Sequence, residues 1–263
     1  MARPFAQMPP RVTRLGPPAP EAKREVLFIH GTWHGAWCWG DLAHGVAAAG
    51  YGVSLLEQPG HGEDRWALPG GTSINDYARL AARAAGSLAS PVLVGHSLGG
   101  WQVQKIWEVA DLPGVLLAPL PGSGLPLTSF LKLEVLFPLD MAKPLVGRPV
   151  VIRNPAMARR LFLDQASEQQ VQELLAQLVP EPAWACLEMA LGLARAKPRP
   201  GRQPRLLIAA GKDFFFPLGS EQALARRLGA RLEVLPRAPH NLWMEDPEGR
   251  TLQLILDFLG SLD

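Results

Sequence analysis

Cysteine is nearly missing from this sequence: Cys38 and Cys186 are the only two among 263 residues. Neither belongs to a C-x-x-C pair, which argues against a disulfide framework and a cysteine-ligated zinc site and fits a reduced, cytoplasmic compartment. Strong charge of either sign is missing too. The formal net charge is +2, and no basic cluster carries interleaved aromatics, so nucleic acid is not an expected partner. No apolar run reaches membrane-spanning length, so no membrane partner is expected either. Residues 1–25 are proline-rich and basic and lack the apolar core of a signal peptide. There is no H-E-x-x-H, P-loop or dinucleotide fingerprint, and nothing implies a metal or an organic cofactor. Lysine and asparagine are scarce while arginine is abundant and proline reaches 26. That composition suits a thermophile and a GC-rich genome equally.

What is present is apolar and periodic. Hydrophobic residues make up 48% of the chain, enough for the core of one large α/β domain or two small ones. Strand-like runs at 26–29, 53–56, 92–94, 115–118, 205–209 and 232–235 alternate with helical patterns. The helices are expected at 37–49, from a Ser73/Asp76 capping box to about 88, at 101–109, at 217–228, and from Asp246-Pro247 onward with Leu252, Ile255, Leu256 and Leu259 on one face. Alternation of this kind predicts an α/β fold: a mostly parallel sheet of about six strands, flanked by helices, with right-handed crossovers. Residues 11–15 suit an edge strand or a flexible arm equally. From Pro119 the alternation stops. Helices are expected from Asn154-Pro155, from a Ser167/Gln170 cap to about 178, and over 183–195, between the joints Pro119-Leu120-Pro121-Gly122 and Lys197-Pro198-Arg199-Pro200-Gly201. The organisation read from this is an arm at 1–25, a core at 26–118 and 201–263, and a helical cap at 119–200.

The stretch Val92-Leu93-Val94-Gly95-His96-Ser97-Leu98-Gly99-Gly100 organises the rest. It is a G-x-S-x-G pattern between a strand and a helix, the context in which a sharp turn lifts a serine hydroxyl above the sheet edge. The positions two before and two after the serine must be tiny, and Gly95 and Gly99 are. A serine hydroxyl is a weak nucleophile and needs a base, which in turn needs an orienting acid. Asp213 follows the strand at 205–209 and His240 follows the strand at 232–235, so both fall on the sheet edge that carries Ser97. The rival acids are placed differently: Asp111 precedes a strand, Asp140 lies in the insertion, and Glu57 comes early in the chain. His96 reads as a packing or hydrogen-bonding residue, and His44 and His61 as structural.

His30-Gly31, Pro59-Gly60-His61-Gly62, the serine turn, Gly211-Lys212-Asp213 and the late His240, in that order, resemble the α/β-hydrolase superfamily. The run from His30 to Trp39 is similar to the branch holding plant methyl-ester esterases and hydroxynitrile lyases with their bacterial relatives. The resemblance implies Ser97 as nucleophile, His240 as base and Asp213 as its orienter, with the backbone N–H groups of Thr32 and Leu98 as the oxyanion hole. Those two N–H groups sit after the first-strand glycine loop and after the nucleophile, where such donors are needed. Glu57 stands where the family usually has aspartate, and bulky Trp101 follows the serine turn, which implies altered packing beneath it. The lyases of the branch carry threonine where this chain has Gly31 and lysine where it has Asn241, so the hydrolytic reading is preferred. Lys212 is expected to face solvent. Trp33, Phe130, Phe137 and Trp184 are the expected substrate-binding residues, suiting a small or medium apolar carboxylic ester. Two other readings stand beside a carboxylesterase: a lyase or C–C bond hydrolase on the same triad, and a non-catalytic ligand-binding protein of the same fold. A monomer and a homodimer are both open.

Overall fold

The computed structural model describes residues 8–18, 21–62 and 71–262. Residues 1–7, 19 and 20 of the expected arm lie outside the described residues. Seven strands form one sheet: β1 (Arg11–Leu15), β2 (Glu25–Ile29), β3 (Gly52–Glu57), β4 (Val92–His96), β5 (Gly114–Leu117), β6 (Arg205–Ala210) and β7 (Arg231–Leu235). Their order is β1-β3-β2-β4-β5-β6-β7, and every pair is parallel except β1 with β3. The expected six strands are therefore seven. Residues 11–15 pair antiparallel along β3 as an edge strand, with Arg11 opposite Glu57 and Leu15 opposite Val53. Periodicity could not reveal this. β1 buries little of itself, so its place depends on the open backbone edge of β3 and not on an apolar face.

β2, β4, β5 and β6 are buried along their whole lengths. Apolar runs without alternation are what a parallel sheet covered on both faces requires. The covering helices are α1 (Gly40–Ala48), α2 (Ile74–Gly86), α3 (Leu98–Ile106), α9 (Leu218–Leu228) and α10 (Arg250–Gly260). Side chains of one face, among them Phe28, Val94 and Ile208, pack towards α1 and α10. Those of the other, among them Ile29, Leu93 and Leu207, pack towards α2, α3 and α9. Ser73 and Asp76 form the expected capping box on α2. The last helix begins at Arg250, with the Asp246 carboxylate accepting from the N–H groups of Arg250 and Thr251.

Between β5 and β6 the chain forms α4 (Leu127–Leu136), α5 (Pro138–Ala142), α6 (Pro155–Phe162), α7 (Glu168–Gln177) and α8 (Ala183–Leu191). The reciprocal Ser167/Gln170 cap starts α7. α8 stops four residues earlier than its sequence pattern predicts, because Gly192 takes a left-handed conformation there (φ 61°). The one pairing in this segment is an isolated bridge between Val150 and Glu181.

Candidate active site

The carboxyl ends of β2, β4 and β5 carry three of the four non-glycine residues with positive φ among the described residues: Trp33 (61°), Ser97 (52°) and Ala118 (40°). Such conformations persist only where their surroundings over-determine them, and they gather at functional sites. Ser97 lies between the end of β4 and the first turn of α3. Its glycine neighbours are sterically required: a Cβ on Gly99 would come within 1.9 Å of the Ile29 carbonyl oxygen, and one on Gly95 within 2.6 Å of the Gly99 carbonyl oxygen. A Cβ on Gly31 would meet the Ser97 Cβ at 2.8 Å, so the loop after β2 also has no room for a larger residue. Trp101 is wholly buried beneath this turn.

His240 follows β7. Its Nδ1 lies 2.8 Å from Asp213 Oδ2, while Asp213 Oδ1 accepts from the N–H groups of Phe215 (2.6 Å) and Phe216 (3.1 Å). The carboxylate is thus fully engaged, and an Nδ1–H donated to it leaves Nε2 as the free acceptor of the ring. The rings of Phe215 (4.7 Å), Phe216 (5.5 Å) and His96 (4.6 Å) surround the imidazole. His96 Nε2 bonds to the backbone carbonyl of His240 at 3.1 Å, tying the residue before Ser97 to the residue that carries the imidazole. Burial and the neighbouring His240 charge push the His96 pKa well down, so this ring stays neutral. Among the described residues no hydrogen bond joins the Ser97 hydroxyl to His240.

The rival acids are occupied elsewhere. Asp111 accepts from the N–H groups of Arg202 and Gln203, and Asp140 pairs with Lys143. Glu57 accepts from the N–H of Ala36 and lies 3.4 Å from His30. Burial opposes its charge, but the His30 contacts outweigh burial and hold its pKa below the ordinary value. His34 Nδ1–H donates to the Thr32 carbonyl (2.7 Å), and its Nε2 meets Asn241 Nδ2 at 3.0 Å. Burial takes its pKa down to about 3, which identifies it as a neutral ring with Nδ1–H donating to Thr32 and Nε2 accepting from Asn241. Asn241 itself is wholly buried in this contact. Lys212 turns to pair with Asp164.

A cavity of about 160 Å³ opens at Ser97. Thr32 and Trp33 line it from the core, Phe130 and Leu133 from α4, Met189 from α8, and Phe215 from the loop after β6. Among the described residues the only charged lining residue is Glu134. The backbone N–H groups of Thr32 and Leu98 have no hydrogen-bond partner among the described residues, and Leu98 opens α3, whose N-terminal N–H groups and dipole favour negative charge. Of the four expected lining residues, Trp33 and Phe130 face this cavity and two do not. Phe137 ends α4 with an extended φ of −136° and lines a separate groove beside Lys212 and Phe214. Trp184 is 43% exposed on the outer side of α8, whose inner side is set by Ala185 and Glu188. Sequence patterning names apolar residues of a helix but not which of them meet a cavity.

Glu181 is the residue that sequence reasoning passed over. Its carboxylate is completely buried and accepts from Trp33 N–H (3.1 Å), His61 Nε2 (3.2 Å) and the Tyr77 hydroxyl (3.2 Å). The available signal was a lone acid between two prolines in an otherwise apolar stretch, Pro180-Glu181-Pro182. His61, read as structural, is its partner. Burial lowers the His61 pKa, but the Glu181 charge and hydrogen bond outweigh this and raise it above the ordinary value.

Residues 26–254 match the model of the alpha/beta hydrolase family. Among characterised sequences, Methylesterase 18 of Arabidopsis thaliana is 22% identical over 92% of this chain and 99% of its own length. Pheophorbidase of Raphanus sativus is 26% identical over 84% of this chain and 89% of its own. Among solved structures, an esterase from Exiguobacterium antarcticum superposes with a TM-score of 0.73 at 16% identity, covering 95% of both chains. No helix among the described residues is long and apolar enough to cross a membrane.

Proposed function

Because this chain belongs to the alpha/beta hydrolase family, we propose that it is a cofactor-independent serine carboxylesterase acting on small or medium apolar esters. The observation that carries this reading is Ser97, held at positive φ at an apolar cavity, with the N–H groups of Thr32 and Leu98 left without partners among the described residues. The relatives named as methylesterase and esterase point the same way.

The chemistry follows from the groups present. His240 Nε2 takes the proton from the Ser97 hydroxyl as its oxygen attacks the ester carbonyl. Catalytic hydrogen bonds of this kind commonly tighten only when substrate arrives. The carbonyl oxygen becomes an anion accepting from the N–H groups of Thr32 and Leu98. Asp213 stabilises the imidazolium and holds its tautomer. His240 then protonates the departing alcohol, leaving an acyl-Ser97. A water, deprotonated by His240, attacks the acyl carbon and the acid departs. Trp33 and Phe130 hold the apolar part of the ester, and residues 119–200 act as a cap over the site. Scarcity of cysteine supports a cytoplasmic location, with Cys38 and Cys186 as free thiols.

A cyanohydrin lyase on this scaffold needs a cation to stabilise departing cyanide. No lysine or arginine lines the cavity among the described residues, and Asn241 is neutral and spent on His34. The experiment is turnover of p-nitrophenyl acetate and butyrate beside mandelonitrile, with Ser97→Ala as control and a fluorophosphonate as label. Serine-dependent ester hydrolysis and labelling are expected. Serine-dependent benzaldehyde release without ester turnover would move the protein to the lyases, and no labelling at all would leave a ligand-binding role.

A further inference from the structure

Trp33 follows Thr32, the residue whose N–H serves the oxyanion hole, and it holds a left-handed backbone (φ 61°) that a bulky side chain disfavours. Its hydrogen bonds come from the inserted segment. The Trp33 N–H donates to Glu181 Oε2 (3.1 Å), the Val179 N–H donates to the Trp33 carbonyl (2.9 Å), and the Trp33 indole donates to the Val150 carbonyl (3.2 Å). Val150 and Glu181 are joined to each other by two reciprocal backbone bonds of 3.0 and 2.9 Å. They form a short strap across the mouth of the loop after β2. The Glu181 carboxylate is completely buried and fixed in turn by His61 and by Tyr77 of α2.

We propose that Glu181 is a positioning residue for the oxyanion hole: the inserted segment, through this carboxylate and the strap it anchors, sets the conformation of Trp33 and so the direction of the adjacent Thr32 N–H. The cap then completes the catalytic apparatus as well as enclosing substrate. This rests on the ester-hydrolase reading above. The physical reason is that a left-handed tryptophan relaxes unless both its backbone groups are bonded in place, and here both are bonded by the insertion. A glutamine at 181 keeps one acceptor oxygen: placed on Trp33 N–H and His61 it turns its NH₂ towards the Tyr77 hydroxyl, and placed on Tyr77 it opposes the other two donors, so the three-donor arrangement is not kept whole.

The test separates transition-state binding from ground-state binding. Steady-state kinetics with p-nitrophenyl butyrate are measured beside inhibition by an alkyl trifluoromethyl ketone. The Ser97 oxygen adds to that ketone's carbonyl carbon, the serine proton passes to His240, and the ketone oxygen becomes an anion in the hole. Deleting an oxyanion donor outright costs about 10²–10³ in kcat, and a misdirected donor loses part of that. Glu181→Gln is therefore expected to lower kcat about 10- to 100-fold, to weaken the ketone by a similar factor, and to leave KM within about threefold. Glu188→Gln is the control. Glu188 fastens α8 to the start of α2 through Ser73 Oγ and the Ile74 N–H, both at 2.8 Å, and among the described residues its carboxylate bonds only these two. It should lower the thermal midpoint while changing kcat and ketone affinity less than about twofold. If Glu181→Gln does not fold, Tyr77→Phe, which removes the hydroxyl that donates to Glu181, should give a parallel, few-fold loss of kcat and ketone affinity.

Unchanged kcat in the Glu181 and Tyr77 variants overturns the proposal, as does a fall in kcat without loss of ketone affinity. An equal fall in both for Glu188→Gln also overturns it, since any loosening of the cap would then suffice. A wild-type protein without Ser97-dependent ester turnover is a different failure: it removes the hydrolase reading, and this proposal with it.

Discussion

The sheet core and the inserted segment are stabilised in different ways. In the core, whole strands are buried and the side chains between helices and sheet are apolar. In the segment, Val135 is 78% exposed, Leu139 83% and Leu145 73%, and the anchors to the core include two buried carboxylates, Glu181 and Glu188. A close-packed core can hold Ser97, Asp213 and His240 rigidly, since it resists displacement on every side. The segment also buries Leu161, Phe162 and Val171 in the same apolar cluster as the core, but it leaves much of α4 and α5 exposed, and that part of its surface and cavity wall can vary with little penalty, provided the buried contacts and carboxylate bonds are kept. Reactivity is expected to be sensitive to small changes in the core, and substrate preference to changes in the segment.

The sharpest way to break that division is at the reacting groups. Ser97→Ala and His240→Ala should each lower kcat on p-nitrophenyl butyrate by about 10⁴-fold or more, and the double variant should be little worse than either, because such groups act as a unit. If Ser97→Ala retained more than about a tenth of the activity, the reactive centre would not be where the core places it.

Next in size is steric tolerance. Gly99→Ala puts a methyl against the Ile29 carbonyl and is expected to cost about 3 kcal/mol by urea unfolding, while Gly86→Ala at the end of α2, where nothing lies within 4 Å, should be neutral or slightly stabilising. Equal effects at the two positions would contradict a rigid serine turn.

Acidity distinguishes the core from the seam with the segment. His34 has its pKa lowered to about 3, so its neutral form stabilises the fold above the unfolded value of about 6.5 and that stability drains away as pH falls towards 3, at about 1.4 kcal/mol per unit. His61, at the seam, is raised. Its contribution is full below about pH 6.5 and is lost as pH climbs through the folded value. Urea midpoints measured from pH 4 to 8 should therefore fall less steeply towards acid in His34→Gln than in the wild type, and less steeply towards alkali in His61→Gln. Parallel curves for all three proteins would remove the assignment.

The smallest effects belong to the segment. Phe130→Ala should cut kcat/KM for p-nitrophenyl butyrate several-fold more than for the acetate, since it strips apolar wall from the cavity. Val135→Ser, on the exposed side of the same helix, should change stability by less than about 0.5 kcal/mol and leave both rates alone.

Much of the framework was legible in local patterns. Six of the seven strands announce themselves as short apolar runs, capping boxes mark the starts of α2 and α7, and a glycine two residues either side of Ser97 declares a turn that admits no side chain. Asp213 and His240 could be named because each follows a strand in a parallel sheet, and successive parallel strands present their carboxyl ends on one edge. These are properties of neighbouring residues or of chain order, and one sequence suffices for them. The seventh strand, the side of α4 or α8 that meets the cavity, and the burial of Asn241 against His34 depend on partners far along the chain. The same holds for Glu181. Nothing within ten residues of it explains a buried carboxylate, because its three donors come from residues 33, 61 and 77. Only folding brings them to one point, and the buried carboxylate is satisfied there because all three arrive together.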